Sequence, residues 1–480
     1  MAEQFRTRRG DRQVLIPGPF VALNEALSDA FDRYGDAPAL LSQDGQVLSF
    51  AKLGHTVAAL ATRLRDEGVG PGQCVAIVTD NRALKIALLL ALARLGSDVA
   101  LVSSIGALAR RGQKIDSAIR FSDQNAEGAE RSIVFSQDWL NTPPDLTMAF
   151  TAPGTLVLST SGSTGAPRYV RIHPQAYVDM VTALPDGVGE SIGSVLVSIP
   201  ETAPFSVFLL LRALLGGHGF AGMSPSGGET LDEAARFGVR EMMVTPLALN
   251  ELVAATEMGA PKGDLARLCV FGSVAEPPLL ARAEKAFGCG VYICVGATEI
   301  GQTTWGRFDS ASYVTGWSGK MVASTEARIG EGGRLLLRSP FSSQVEAYIG
   351  GPPAFDAEGW FDTGDIARLT EDGVLMIDGR ADNMINLGGS KFAAELIEKL
   401  VGQCPGVEIS AAVRIQSPGG LAPELGVAVV ASANFDAAAA RRLLAEKLHT
   451  SAHIRIITCP QLPSLPTGKV DRTAVAGLFA

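Results

Sequence analysis

The segment most informative about the fold is Leu156-Val157-Leu158-Ser159-Thr160-Ser161-Gly162-Ser163-Thr164-Gly165-Ala166-Pro167-Arg168. It begins as an apolar run and continues into a loop of small hydroxyl residues and glycines. Glycines let a ligand approach the backbone N–H groups, hydroxyls add donors, and the cation at Arg168 adds charge that suits a polyphosphate. The pattern therefore indicates a phosphate-binding loop, with a purely structural loop as the alternative.

Two familiar loop motifs are excluded at this position. No Gly-Lys-Ser/Thr sequence follows Gly162, so the segment is not a Walker A loop. Ser163 lacks the Gly-x-Ser-x-Gly frame of a nucleophile elbow. An amidase or esterase using the serines of this loop would also need a paired base, and the sequence offers no recognisable one.

The residues around this loop alternate between apolar runs and helical spacing, which predicts an α/β fold of layered sheets covered by helices. The expected helices are 22–34, 50–67, 83–95, 207–215 and 278–287. The expected strands are 74–78, 99–102, 195–199, 241–244, 268–271 and 291–295.

The pattern of apolar and polar residues along the chain changes after residue 382. There it predicts helices at 393–401 and 437–448, and strands at 409–415, 425–431 and 454–457. A chain of 480 residues is too long for one hydrophobic core, and a segment of about a hundred residues is a common domain size. We therefore expect a large N-terminal domain, 1–381, and a small α+β C-terminal domain, 382–480.

Composition narrows the range of partners. Hydrophobic residues make up 47% and charged residues 19% of the chain, which predicts a packed globular protein. A formal net charge of -9 disfavours nucleic acid and anionic membrane surfaces. The stretches 83–95 and 205–215 are too short and too interrupted by charge to span a bilayer, and no secretory signal is visible, so a cytoplasmic location is expected. The six cysteines form no CxxC pair, which argues against zinc and disulfides.

Five segments together resemble the adenylate-forming (AMP-binding) superfamily, which includes acyl-CoA synthetases, peptide-synthetase adenylation domains and luciferase. The first is the loop from Thr160 to Arg168, where arginine replaces the usual lysine. The others follow in the family's order: Gly296-Ala297-Thr298-Glu299, Thr363-Gly364-Asp365, Gly379-Arg380-Ala381-Asp382 and Pro466-Thr467-Gly468-Lys469. Two further departures are Val295, where an aromatic residue commonly stacks on adenine, and the adenine-side segment 272–275.

The resemblance implies an acid:thiol ligase. Such an enzyme uses ATP and Mg²⁺ to convert a carboxylic acid to an acyl-adenylate with release of pyrophosphate. It then transfers the acyl group to a thiol, either of coenzyme A or of a carrier-protein pantetheine. Two alternatives stay open: an acyl-AMP ligase that uses another acceptor, and a non-catalytic nucleotide-binding relative.

The resemblance also implies a role for each motif. Thr298 would bind the α-phosphate, and Lys469 would neutralise charge between the acyl carboxylate and that phosphate. Asp365 and Arg380 would bind the ribose. The β- and γ-phosphates would lie against Thr160, Ser161, Gly162, Ser163, Thr164, Gly165 and Arg168.

The remaining implied roles concern the metal, the adenine and the movement of the C-terminal domain. Glu299 and Thr164 would bind Mg²⁺. Asp382 would be the hinge of a mobile C-terminal domain, and Gly388 and Gly389 would line the entry of the thiol. The adenine side would be formed by Gly272, Ser273, Val295, Gly296 and Ala297.

Overall fold

The computed structural model describes residues 22–41, 45–102, 104–121, 124–160, 168–176, 192–322, 324–341, 348–387, 390–416, 423–450, 452–465 and 467–479. The chain divides into two compact units. The first unit comprises Met1–Gly222, Phe237–Val239 and Pro340–Asp356, and the second comprises Met223–Arg236, Arg240–Ser339 and Ala357–Ala480. The predicted boundary between domains 1–381 and 382–480 is not tested by this division and stays a prediction.

The first unit alternates helices with short strands. Its helices are α1 (Ala22–Tyr34), α2 (Phe50–Asp66), α3 (Arg82–Arg94), α4 (Ile105–Ala109) and α5 (Pro204–Leu215). Its strands are β1 (Pro38–Leu41), β2 (Val47–Ser49), β3 (Cys74–Val78), β4 (Asp98–Leu101), β5 (Ser117–Arg120), β6 (Arg131–Val134), β7 (Leu156–Thr160), β8 (Arg168–Ile172), β9 (Ser194–Val197) and β10 (Phe220–Gly222).

Local sequence accounts for these elements. The Ser49 hydroxyl accepts a hydrogen bond from the Lys52 N–H at 3.3 Å and begins α2, whose apolar residues are buried on one side. In α3 the Asn81 side chain accepts in the same way from the Leu84 N–H. Pro204 occupies the first turn of α5, where a missing N–H costs nothing.

Two sheets form in the first unit. One has the order β6-β5-β3-β4-β7-β8, parallel except for the antiparallel pair β7–β8. The other joins β9, β10 and β1 in parallel and adds β2 antiparallel to β1. Residues such as Val75, Val99 and Leu158 are buried in the first sheet, as expected where helices cover a parallel sheet.

The second unit holds the remaining elements. Its helices are α6 (Gly227–Phe237), α7 (Pro246–Glu257), α8 (Pro277–Phe287), α9 (Ala394–Gly402), α10 (Ala437–Lys447) and α11 (Arg472–Gly477). Its strands are β11 (Val239–Val244), β12 (Arg267–Val270), β13 (Gly290–Ile293), β14 (Gly296–Ala297), β15 (Gly301–Gln302), β16 (Thr304–Arg307), β17 (Trp317–Met321), β18 (Glu326–Ile329), β19 (Arg334–Arg338), β20 (Phe361–Leu369), β21 (Val374–Arg380), β22 (Met384–Leu387), β23 (Ser390–Ala393), β24 (Val407–Gln416), β25 (Pro423–Ala431) and β26 (Ile454–Thr458).

One sheet of the second unit changes from parallel to antiparallel along its width. Strands β11, β12 and β13 are parallel neighbours. From β13 the sheet continues antiparallel through β16, β17, β21, β20, β19 and β18. The sequence pattern predicted the parallel strands at 241–244, 268–271 and 291–295, but it did not predict the antiparallel strands from β16 to β21.

The C-terminal part of the second unit is a three-stranded sheet, β24-β25-β26, with helices on both faces. Alternate residues of β24 point to opposite faces, as the pleat requires. Ala412 packs with Ile397 of α9 and Leu444 of α10, whereas Val413 packs with Val475 of α11. The predicted α+β pattern after residue 382 is confirmed, with element bounds shifted by at most a few residues.

The described residues contain no helix long and apolar enough to cross a membrane. The six cysteines are all free. The predicted mixed α/β fold class is confirmed.

A half-buried carboxylate, Glu276, lies where α9 approaches the start of α8. Glu276 accepts a hydrogen bond from the Thr315 hydroxyl at 2.9 Å, and a Cβ added to Gly402 would lie 3.2 Å from the Glu276 carboxylate. Burial raises the pKa of Glu276 to about 7; the nearby Glu398 carboxylate adds to this effect, whereas Thr315 and the Lys399 ammonium oppose it.

This raised pKa predicts that stability falls as pH rises. Between the usual value of 4.5 and about 7, the unfolded chain ionises Glu276 while the folded chain holds it protonated, so the folded state loses stability as pH increases through that window. The loss should be about 3 kcal/mol, since one pKa unit corresponds to about 1.4 kcal/mol. Melting temperatures from pH 4.5 to 8 should therefore fall more steeply for the native chain than for Glu276→Gln; parallel curves would contradict this.

Candidate active site

Three loops of the second unit lie at one edge of its parallel strands. β11 runs into Thr245, β12 into Gly272 and Ser273, and β13 into Val295. Because the carboxyl ends of parallel strands meet at the same edge, these loops are neighbours; the Cβ of an alanine at 272 would lie 3.5 Å from the Thr245 side chain. Gly272 has a positive φ of 88°, which favours glycine there.

Val295 is held through its backbone. Its carbonyl accepts hydrogen bonds from the N–H of Thr303 at 2.8 Å and of Thr304 at 3.2 Å. Its own N–H donates to the Thr304 hydroxyl at 3.1 Å. The half-buried Val295 side chain is therefore fixed in place, although it offers no aromatic face to a base.

The Thr298-Glu299 pair occupies the tight turn between β14 and β15. Gly296 lies so close to the opposite strand that a Cβ there would be 2.6 Å from the Gly301 carbonyl oxygen. The adjoining Ala297 pairs with Gly301 across this short ladder. Glu299 is only 6% exposed, so the turn places a carboxylate where little water reaches it.

Asp365 and Arg380 face each other across β20 and β21. They are register partners, and Arg380 Nη1 donates to Asp365 Oδ1 at 2.9 Å and to the Thr363 carbonyl at 3.2 Å. Gly364 permits this approach, because a Cβ there would lie 2.7 Å from Arg380 Nη2. Burial raises the pKa of Asp365, and Arg380 and Lys469 partly offset that rise.

A turn positions Lys469 near the Asp365–Arg380 pair. The Leu465 N–H donates to the Lys469 carbonyl at 2.8 Å, and the Gly468 N–H donates to the Leu465 carbonyl at 2.9 Å. Gly468 has φ of 69°, and a Cβ there would lie 2.8 Å from the Thr245 hydroxyl. The turn therefore rests directly on the residue that begins α7.

The Lys469 ammonium interacts with groups from three distant segments. Burial and the neighbouring Arg380 guanidinium lower the pKa of Lys469, while the Asp365 and Glu299 carboxylates act in the opposite direction. The structure thus brings together Glu299, Asp365, Arg380 and Lys469, four of the predicted site residues. Their individual roles stay predictions.

The predicted phosphate-binding loop of the first unit is described only at its two ends. Thr160 ends β7 and Arg168 begins β8, and the two residues are directly opposite in the antiparallel register. The exposed Arg168 guanidinium lies over the Tyr348 ring at 5.2 Å. A planar guanidinium stacks on such a face, which a lysine ammonium does not, so the arginine at this position has a specific local partner. Sequence reasoning did not identify Tyr348.

Several predicted residues lie outside the described residues. They are Ser161, Gly162, Ser163, Thr164, Gly165, Gly388 and Gly389. Asp382 lies within a short 3-10 turn, Ala381–Asn383, and its carboxylate is 3.8 Å from Arg380 Nη2.

The gathered groups suit a nucleotide with a metal ion. Within the described part of the chain, the buried Arg380 Nε and Thr467 Oγ1 atoms have no hydrogen-bond partner, so a ligand with many acceptors would satisfy them. That part contains no cluster of three or more His, Cys, Asp or Glu residues able to hold a metal. Mg²⁺ commonly takes only one or two carboxylates and completes its shell with phosphates and water, and Glu299 fits that requirement.

Two residues near the site, Glu395 and Arg472, were not singled out from the sequence. Glu395, at the start of α9, accepts from the Asn383 amide at 2.6 Å and from the Arg380 N–H at 3.3 Å. Arg472, which follows Lys469 on α11, faces the same carboxylate at 3.4 Å. The spacing of Glu395 and Glu398 on one helix face was the only local signal available.

The lowered pKa of Lys469 can be measured directly. Acylation of Lys469 by acetic anhydride should rise at lower pH than that of the exposed Lys447, as followed by mass spectrometry of peptides. Asp365→Asn should lower the Lys469 pKa further, because it removes an attractive charge. Asp378→Asn, on β21 and paired with Arg368, should leave the profile unchanged, and a Lys469 profile like that of Lys447 would contradict the interpretation.

The chain is similar to known proteins over most of its length. The family model described as AMP-binding enzyme matches residues 27–121 and 155–341. The chain is 27% identical to the sulfoacetate–CoA ligase of Cupriavidus necator, covering 95% of this chain and 97% of that one. It is 25% identical to a fatty acid–[acyl-carrier-protein] ligase of Mycobacterium marinum, over 94% and 96% of the two chains.

A solved structure shares the fold. The O-succinylbenzoate coenzyme A synthetase of Bacillus subtilis, in complex with ATP and a magnesium ion, superposes with a TM-score of 0.76 at 18% identity, covering 94% of this chain and 98% of that one. The matched family segments end at residue 341, whereas the full-length relatives also span the region of Asp365, Arg380 and Lys469.

Proposed function

The chain belongs to the AMP-binding enzyme family, and on that basis we propose that it joins a carboxylic acid to AMP at the expense of ATP and then transfers the acyl group to a thiol. The observation that carries the proposal is the position of Lys469. A half-buried lysine near the end of the chain that interacts with Asp365, Glu299 and Arg380 supplies the cation that adenylate formation needs. A turn with only a structural role would not require a lysine at position 469.

The first step is attack of a substrate carboxylate oxygen on the α-phosphorus of ATP. A P–O bond forms to the acid, and the bond to pyrophosphate breaks. Two negatively charged groups must approach each other, so the site has to screen their charges. Lys469 supplies a cation for this purpose, and the charge of a bound triphosphate would raise its lowered pKa and keep it protonated.

The other residues position the nucleotide. Thr298 would donate to the α-phosphate, and the Asp365–Arg380 pair would bind the ribose hydroxyls. Residues 160–168 would hold the β- and γ-phosphates. Glu299 would hold Mg²⁺, which when bound screens phosphate charge and helps to orient the phosphates.

The second step transfers the acyl group. A thiol attacks the acyl carbonyl of the adenylate, a thioester forms, and AMP leaves. The relatives include a ligase for coenzyme A and a ligase for an acyl carrier protein. Coenzyme A is our first choice of acceptor, and a carrier-protein pantetheine is the second.

The proposal is tested by acid-dependent pyrophosphate exchange. The purified chain, ATP and Mg²⁺ are incubated with a panel of aliphatic, aromatic and amino acids, and label exchange between pyrophosphate and ATP is measured. At least one acid should support exchange, and coenzyme A or a pantetheinylated carrier should then accept its acyl group. Absence of exchange with every acid, in a chain that binds ATP, would favour the non-catalytic alternative.

Replacing Lys469 tests its role. Lys469→Ala should reduce adenylate formation roughly 10²- to 10³-fold, since removal of one preorganised donor typically has that effect. Lys447→Ala, an exposed lysine on α10, is the matched control and should retain the native rate. The melting temperature should be little changed in both variants. Native-rate adenylation by Lys469→Ala would refute the assignment.

A further inference from the structure

One carboxylate of α9 bonds to residues on both sides of the 381–383 turn. Glu395 Oε2 accepts from the backbone N–H of Arg380 at 3.3 Å. Glu395 Oε1 accepts from the Asn383 amide at 2.6 Å and faces Arg472 Nη2 at 3.4 Å. The side chain is only 16% exposed, so these contacts form with little competition from water.

The backbone is shaped to admit this carboxylate. Gly379 has φ of 150°, and a Cβ there would lie 2.8 Å from Glu395 Oε2 and 2.7 Å from the Ala393 side chain. Any larger residue at 379 would push Glu395 away from the Arg380 N–H. The close approach therefore depends on glycine at this position.

The charged form of the Glu395 carboxylate depends on its hydrogen-bond and ion-pair partners. Burial and the neighbouring Glu398 raise the pKa of Glu395, whereas Arg472 and Asn383 stabilise its charged form. A carboxylate held away from water is costly unless it is hydrogen-bonded. Loss of the contact to the Arg380 N–H would leave Glu395 with only Asn383 and Arg472 among these partners.

The partners of Glu395 lead directly to the candidate active site. The side chain of Arg380 donates to Asp365. Arg472 lies on α11, three residues after Lys469, and also donates to Glu398 at 2.6 Å and to the Ala412 carbonyl at 2.7 Å. Glu395 thus connects the strand that carries Arg380 with the helix that follows Lys469.

We propose that Glu395 is a positioning residue, a latch that holds the segment after residue 383 in the orientation where Lys469 lies beside Asp365. This inference rests on the proposed function. Its bond to the backbone N–H of Arg380 spans Asp382 and would break if the C-terminal segment turned about that residue, whereas its bond to Asn383 lies within the C-terminal segment. Its contact with Arg472 lies within that segment and would persist. The latch therefore favours adenylate formation over thioester formation.

Hydrogen–deuterium exchange tests the latch without any substrate. In Glu395→Ala and in Glu395→Gln, the Arg380 amide and the peptide 465–479 should exchange at least several-fold faster than in the native chain. Glu398→Gln is the matched control, because Glu398 also accepts from Arg472 but takes its backbone hydrogen bond from the Ala412 N–H and not from Arg380. It should leave the Arg380 amide protected. Unchanged exchange at Arg380 in both Glu395 variants would overturn the proposal.

The two half-reactions give the second readout. The acid that is most active in pyrophosphate exchange is used for adenylation, and its synthetic adenylate with coenzyme A is used for thioester formation. Glu395→Gln should slow adenylation roughly ten- to a hundred-fold, as expected for loss of hydrogen bonds to a charged group, while thioester formation stays at or above the native rate. Equal loss of both rates would overturn the latch.

Failure of the latch and failure of the proposed function are distinguishable. If the native chain supports no pyrophosphate exchange with any acid, the proposed function fails. Hydrogen–deuterium exchange at the Arg380 amide still decides independently whether Glu395 holds this segment. If Glu395→Ala does not fold, Glu395→Gln carries the test, since its amide oxygen preserves the shape of the side chain. Glu398→Gln should change the melting temperature without changing the ratio of the two half-reaction rates.

Discussion

The charge interaction of a half-buried lysine ammonium with two carboxylates and a guanidinium is the interaction on which the candidate active site depends. Lys469 lies in the turn at 465–469. It interacts with Asp365 and Arg380 of the β20–β21 pair and with Glu299 of the turn after β14. A lone buried charge would cost several kcal/mol or more, comparable with the whole net stability of a domain. The turn at 465–469 can therefore rest there only because the two acidic groups are already in position.

The surrounding fold holds the residues around Lys469 in fixed positions. The parallel strands β11, β12 and β13 end at one edge, where Thr245, Gly272 and Val295 are fixed by capping, a positive φ and backbone hydrogen bonds. The antiparallel strands β20 and β21 then fix the Asp365–Arg380 pair by register. Chemistry-bearing side chains on loops are thus held by rigid strands, an arrangement common to enzymes.

The sequence predicted helices and strands correctly where burial requires apolar residues at a regular spacing or in a continuous run. The expected helix at 50–67 corresponds to α2, and the apolar run at 74–78 is β3, because one buries a face and the other is buried on both sides. Strand β20 escaped detection, since its buried residues recur at every third position instead of alternating and it includes three charged side chains. The link between Glu395 and Arg472 spans 77 residues and has no local signature. Resemblance to a family identified Asp365 and Lys469, but only the fold shows that they meet.

The contact between Gly468 and Thr245 limits how this protein could be redesigned. Thr245 accepts from the Ala248 N–H at 3.4 Å to begin α7, and it also forms the surface on which the Gly468 turn rests. A mutagenesis library that enlarged position 245 to alter nearby ligand preference would displace the terminal lysine at the same time. Directed evolution of new substrate range should leave positions 245 and 468 fixed and diversify residues that do not touch that turn.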